Sequence, residues 1–207
     1  MYTTLRATTK TLQAYLKQRF IADANLAAHF DPGLGGTMIV SLATPEEMTA
    51  DNAEGLSVWL YSLVRDTELL NSPPSRVGVN QLVPAPLALR LHYLMTPIVR
   101  ATGDAGAETE QDILGKVLQV FHTHPLLRGT DLQDDLTSTS AQLNVRLEQL
   151  SLEEITRVWD ALERSYELSV SYEVSVVDIT ADVEPVDVSP VQVVLPEYDL
   201  IVASTVP

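Results

Sequence analysis

Four histidines, His29, His92, His122 and His124, are the side chains of this sequence best suited to carry a proton or hold a metal near neutral pH. His122 and His124 stand two apart, just before Pro125, at the end of a predicted helix. A closed metal site needs about four ligands, and a two-residue offset on a helix places side chains on different faces. A solvated helix terminus, where a cationic ring suits the helix dipole, is the preferred reading. His92 sits in LALRLHYLMTPI, residues 87–98, beside Tyr93. Neighbours on a strand point to opposite faces, so this pair cannot act as one acid–base unit. Leu87, Leu89, Leu91, Tyr93 and Met95 fall on one face, and Ala88, Arg90, His92, Leu94 and Thr96 on the other. No partner carboxylate for His92 can be named, which favours a satisfied or interfacial ring over a catalytic one.

The remaining motifs fall short of chemistry. GLGGT, residues 33–37, precedes a strand and lacks the Lys-Ser/Thr of a phosphate loop, so it reads as a turn. Ser169, Ser171 and Ser175 share one strand face, a row expected to be solvated or interfacial, and no G-x-S-x-G occurs. The adjacent acids Glu153/Glu154 and Asp134/Asp135 lie on segments expected to be exposed, where nothing raises a carboxyl pKa for acid–base work. No catalytic, cofactor-binding or metal-ligating set is assigned. The candidates for an interface are Arg90, His92 and the apolar residues Val191, Val193, Val194 and Leu195.

The elements that position these residues follow from hydrophobic periodicity. Leu5, Leu12, Leu16 and Phe20 predict an amphipathic helix reaching to about Ala28, closed by DPGLGG. TMIVSLA (37–43) predicts a strand, TPEEMTADNAEG (44–55) a polar loop, and SVWLYSLV (57–64) a central strand covered on both faces. NSPPSRVGVNQLVPAP (71–86) reads as a long Pro/Gly-rich loop and ATGDAGAETE (101–110) as a flexible link. QDILGKVLQVFH then places Ile113, Leu114, Val117, Leu118 and Phe121 on one helix face. QLNVRLEQL (142–150) alternates Leu143, Val145 and Leu147 with polar residues, as in a half-buried strand. Ser151 and Glu154 form a capping box for a helix whose buried stripe is Ile155, Val158, Trp159 and Leu162. In 166–180 Leu168, Val170, Tyr172, Val174 and Val176 alternate against serines and Glu173, a clear amphipathic strand. The expected fold is α+β, a mixed or mostly antiparallel sheet flanked by amphipathic helices in one domain over 1–180. Residues 181–207, valine-rich and broken by prolines, read as an arm that either folds back on its own domain or adds a strand to another sheet edge.

Composition narrows the partners. Of 207 residues 45% are hydrophobic and 20% charged, as in ordinary globular chains. Thirteen Lys and Arg against 28 Asp and Glu leave a formal charge of −15, which argues against nucleic acid and anionic lipid as direct partners. With no cysteine, disulfides and thiolate chemistry are excluded. No run of 18 apolar residues and no signal-peptide core are seen, so a soluble chain made in the cytoplasm, without membrane insertion, is expected.

Three blocks, PAPLALRLHYLMTPI (84–98), EQDILGKVLQVFHTHPLL (110–127) and SLEEITRVWDALERSYELSVSYEVSVVDI (151–179), occur in this order between variable loops. In these blocks the chain resembles the tail-terminator, or cap, proteins of phage-tail-like contractile injection systems, over roughly residues 5–180. Arg90 departs from the acidic residue expected in many relatives, which leaves a carried-over salt bridge unassigned at this point. The resemblance implies a structural protein without enzymatic activity or cofactor. It implies a homohexameric ring closing the distal end of the inner tube and touching the last sheath ring, in a particle that is released, cytosolic or membrane-anchored. An assembly adaptor or length regulator of the same particle is the alternative. An orphan hydrolase or metal enzyme using His92, or His122 and His124, is the reading from a different class.

Overall fold

The computed structural model describes residues 2–78, 80–180 and 182–189. Helices α1 (Thr4–Ile21) and α2 (Ala27–Phe30) lead into β1 (Ile39–Ser41), α3 (Pro45–Ala50) and β2 (Gly55–Arg65). A hairpin of β3 (Ser75–Val77) and β4 (Gln81–Val83) precedes the long β5 (Leu87–Ile98) and helix α4 (Asp104–Thr123). Then come β6 (Leu126–Arg128), β7 (Gln142–Leu147), α5 (Leu152–Asp160), β8 (Val170–Ile179) and β9 (Val186–Asp187).

Six strands form one sheet in the order β1-β2-β5-β8-β7-β6, antiparallel throughout except for the parallel β1–β2 pair. On one face α1 and α4 bury Leu12, Leu16, Phe20, Ile113, Val117 and Phe121 against Val58, Leu91, Tyr93 and Met95. On the other, α5 packs Ile155 and Trp159 over Leu94, flanked by Trp59 and Tyr61. The fold is the α+β arrangement expected, and β5 alternates as expected between its two faces. Full burial of a large apolar side chain contributes about 1.5–3 kcal/mol, so Trp159 at 0% exposure anchors the short α5. Its indole Nε1 donates to Ser169 Oγ at 3.2 Å.

Several local expectations are corrected. The first helix stops at Ile21 because Asp23 turns the chain, its carboxylate accepting the N–H groups of Asn25 and Leu26. Residues 44–55, expected as loop, contain α3, started by a Thr44/Glu47 capping box with Pro45 in its first turn. The segment 71–86 folds into the β3–β4 hairpin, and β9 adds to it as a third strand, with Val188 N–H bonding Asn80 O at 2.7 Å. Most of 101–110 is not a link but the first turns of α4, which begins directly after Gly103. β2 is covered only in its first half; Leu63 and Val64 near its end are exposed. Leu147 is exposed rather than buried.

The serine row is not solvated either: Ser169, Ser171 and Ser175 are each less than 10% exposed, Ser169 under the Trp159 indole and Ser171 against Glu148 and Tyr61. The alternation of β8 also changes phase. Leu91 pairs with Val174 but Leu89 with Val177, so two residues of β8 face the single Arg90. This bulge puts Val177 into the helix-side core, out of step with the strict alternation expected.

Gly55 shows how close the parallel edge lies. It has φ +132°, and a Cβ there would stand 2.0 Å from the Ile39 carbonyl oxygen. Gly55→Ala is expected to lower stability by about 2–4 kcal/mol, read as a shift of the urea midpoint at unchanged slope.

Candidate functional site

The second face of the sheet carries the polar residues singled out in β5. His92 pairs across the sheet with Ser62 on β2 and Glu173 on β8. A bulge between Leu60 and Ser62 brings the Tyr61 ring to the same place, with its centroid 6.1 Å from that of His92. Glu148, at the end of β7, is held there by its own backbone N–H, which bonds Ser171 O. Its carboxylate takes His92 Nδ1 on Oε1 at 2.8 Å, and the Ser171 hydroxyl and Tyr61 OH, the latter at 3.4 Å, on Oε2. The Tyr61 hydroxyl also lies 3.1 Å from Ser171 Oγ. Burial pushes the Tyr61 phenol up and the Glu148 charge adds to this, while the Ser171 bond opposes it, so Tyr61 stays a donor.

Arg90 occupies the next same-face position of β5. Its guanidinium reaches Asp66 at 3.1 Å, Glu68 at 3.3 Å and Glu173 at 3.6 Å. The hydrogen bond from Arg90 holds the Asp66 carboxyl below the usual range, with help from the backbone N–H of Glu68 and against the desolvation of a side chain only 6% exposed. The carboxylate partner that the sequence left unnamed for His92 is therefore Glu148, and Arg90 is the hub of three ion pairs. The missing signal was distance along the chain: Glu148 lies 56 residues from His92. Glu173 was visible as the one charge in the serine row.

This arrangement is a poor relay for nucleophilic chemistry. The carboxylate sits between serine and histidine, so the Ser171 hydroxyl donates to Glu148 and no imidazole stands ready to take its proton. As donors, however, His92, Glu148 and Glu173 offer three atoms within 4.8 Å of one another, a spacing compatible with a metal ion. His122 and His124 are both exposed at the end of α4, and His29 is exposed on α2. Among the described residues no third His, Cys, Asp or Glu gathers with the His122/His124 pair. The adjacent acids have structural partners. Asp134 binds Arg6 and Lys10, Asp135 binds Arg6, Glu153 binds Arg157, and Glu154 caps α5. GLGGT is a turn, with Gly35 at φ +85° after a single 3₁₀ turn. Val191, Val193, Val194 and Leu195 lie outside the described residues.

A mostly antiparallel sheet with two helices on one face and a short tryptophan-anchored helix on the other defines an α+β domain. The chain belongs to the Pvc16 N-terminal domain family, whose pattern it matches over residues 7–193. Its fold is similar to that of the PVC sheath/tube terminator of an extracellular contractile injection system in the extended state, at TM-score 0.60 and 18% identity, covering 96% of this chain and 64% of that one. It is also similar to the tube-terminating cap of the anti-feeding prophage, at TM-score 0.58 and 17% identity, covering 96% of this chain and 61% of that one. The chain thus spans less than two thirds of the length of either relative. No curated protein sequence matches it.

Because the Asp66 carboxyl is depressed in the fold, its contribution is complete above the ordinary aspartate pKa and is lost as pH falls through the lower folded value. Thermal melts from about pH 7 to pH 3 are expected to show this loss. Asp66→Asn should start less stable at neutral pH and decline less on acidification.

Proposed function

We propose that this chain is a structural cap that ends the tube and sheath of a contractile injection particle, without catalytic activity. The observation that supports this most is the fold similarity over 96% of the chain to two such terminators, beside its membership of the Pvc16 N-terminal domain family. The sheet's second face fits the reading, since His92 and Ser171 are both bonded to Glu148 and no imidazole is poised to activate the serine.

The cap acts as a homo-oligomeric ring, taken to be a hexamer, with the inner tube and sheath proteins as its partners. Exposed apolar side chains stand on both flanks of the central β5–β8 pair: Leu63 and Val64 on β2, Leu147 on β7. Exposed apolar groups of this kind mark protein contacts. Their placement on two flanks suits head-to-tail association, which closes into a ring when the rotation allows. The formal −15 of each chain discourages cap-on-cap stacking and so ends growth at one layer. Residues 181–207 extend this reading as an arm in which Val191, Val193, Val194 and Leu195 add to a sheet edge of a neighbour; Arg90 and His92 brace the face beside it. Among the described residues no helix is long and apolar enough to cross a membrane. The chain is made in the cytoplasm and leaves it only as part of the particle.

Deleting the gene is expected to give tubes of irregular length with open distal ends under the electron microscope, restored by the wild-type chain. Normal capped ends without it would refute the proposal. Truncation after Ser189 retains β9, and is expected to impair capping while leaving the melting temperature unchanged. A lowered melting temperature with normal capping would instead mean that the arm packs on its own domain.

A further inference from the structure

The charges around His92 do not balance. Asp66, Glu68, Glu148 and Glu173 stand against one permanent cation, Arg90. Arg90 is drawn to Asp66 and Glu68, and its nearest approach to Glu173 is 3.6 Å, longer than a hydrogen bond. Arg146, opposite Glu173 on β7, is exposed and forms no ion pair with it. The Glu173 side chain is only 16% exposed, yet no described residue donates a hydrogen bond to its carboxylate. A covered carboxylate in that state is costly unless a cation completes its shell.

We propose that His92, Glu148 and Glu173 form a binding site for one divalent transition-metal ion of the zinc or manganese type. Their donor atoms lie within 4.8 Å of one another, close enough for a small side-chain adjustment to bring all three to metal–ligand bonds of about 2.0–2.2 Å. One imidazole nitrogen with two carboxylates selects first-row transition ions over calcium and magnesium, which favour all-oxygen shells. His92 Nδ1 and Glu148 Oε1, now 2.8 Å apart, give up their shared hydrogen bond for the ion, with the neutral ring carrying its proton on Nε2. Tyr61 and Ser171 keep their bonds to Glu148 Oε2 and hold that ligand in orientation. The ion joins β5, β8 and the connection from β7 to α5. Its role is therefore to fix α5 on the sheet, and it does not depend on the capping proposal.

The test is calorimetric titration with zinc and, separately, manganese, alongside thermal melts, on the full chain stripped with chelator. Calcium serves as the control. Wild type and a His122→Ala/His124→Ala double variant are expected to bind one ion per chain and melt at higher temperature with it. His92→Ala and the near-isosteric Glu173→Gln are expected to lose both the binding and the shift. No binding by wild type overturns the proposal, as does binding that survives in both His92→Ala and Glu173→Gln. Loss of binding in the His122/His124 double variant overturns it too, by placing the ion at the end of α4. Glu173→Gln keeps the side chain's shape, so its melt without metal separates a folding defect from a lost ligand.

Discussion

β5 is claimed from both sides, and the rest of the molecule is arranged around that double claim. Leu89, Leu91, Tyr93 and Met95 point into the core under α1 and α4, while Leu94 points into the smaller core under α5. A slip of one residue would drive Arg90 and His92 into the larger core and turn Tyr93 out. Tyr93 is locked against such a slip, because its buried hydroxyl meets Thr9 of α1 at 2.8 Å. Burial also pushes that phenol well above the usual tyrosine range, so the ring stays neutral where it lies. One strand's register therefore fixes both the helix-side core and the place where charge is allowed to stand.

The two faces are held by different forces. The helix side is stabilised by area, with aromatic contacts such as Phe121 on Tyr172 at 5.0 Å adding geometry to burial. Among the described residues the α5 side buries Leu94, Ile155 and Trp159, a small apolar set that polar contacts complete. Ser169 takes the Trp159 indole, Ser171 and Tyr61 hold Glu148, and Ser151 caps α5. Partly covered charges gain more from each other than exposed ones do, but removing one partner leaves the other stranded. This is why Arg90 is better understood as the keystone of three acids than as a surface cation.

The fold class and most long elements were legible in the sequence because they rest on local periodicity, which β5, α4 and the stripe of α5 display openly. The Ser151/Glu154 box was equally readable. The Thr44/Glu47 box has the same chemistry, and it was passed over because α3 is too short to show a hydrophobic period. The β8 phase change was not readable, since it depends on Arg90 arriving opposite. The buried serines were misjudged for a related reason: a polar row looks solvated until a helix from elsewhere is placed on it. The partnership of His92 with Glu148 belongs to the same class, being a product of sheet order and of no local pattern.

The small sheet has a consequence for the time course of synthesis. β3 and β4 emerge from the ribosome together, yet their third strand, β9, is made long afterwards. Until then the nascent hairpin presents an open β4 edge. β5 waits in the same way for β8, its central neighbour, while α4 and β7 are being made. Closure of both sheets thus waits for β8 and β9. A polypeptide released before them would carry two unpaired edges, the kind of surface that chaperones and proteases recognise.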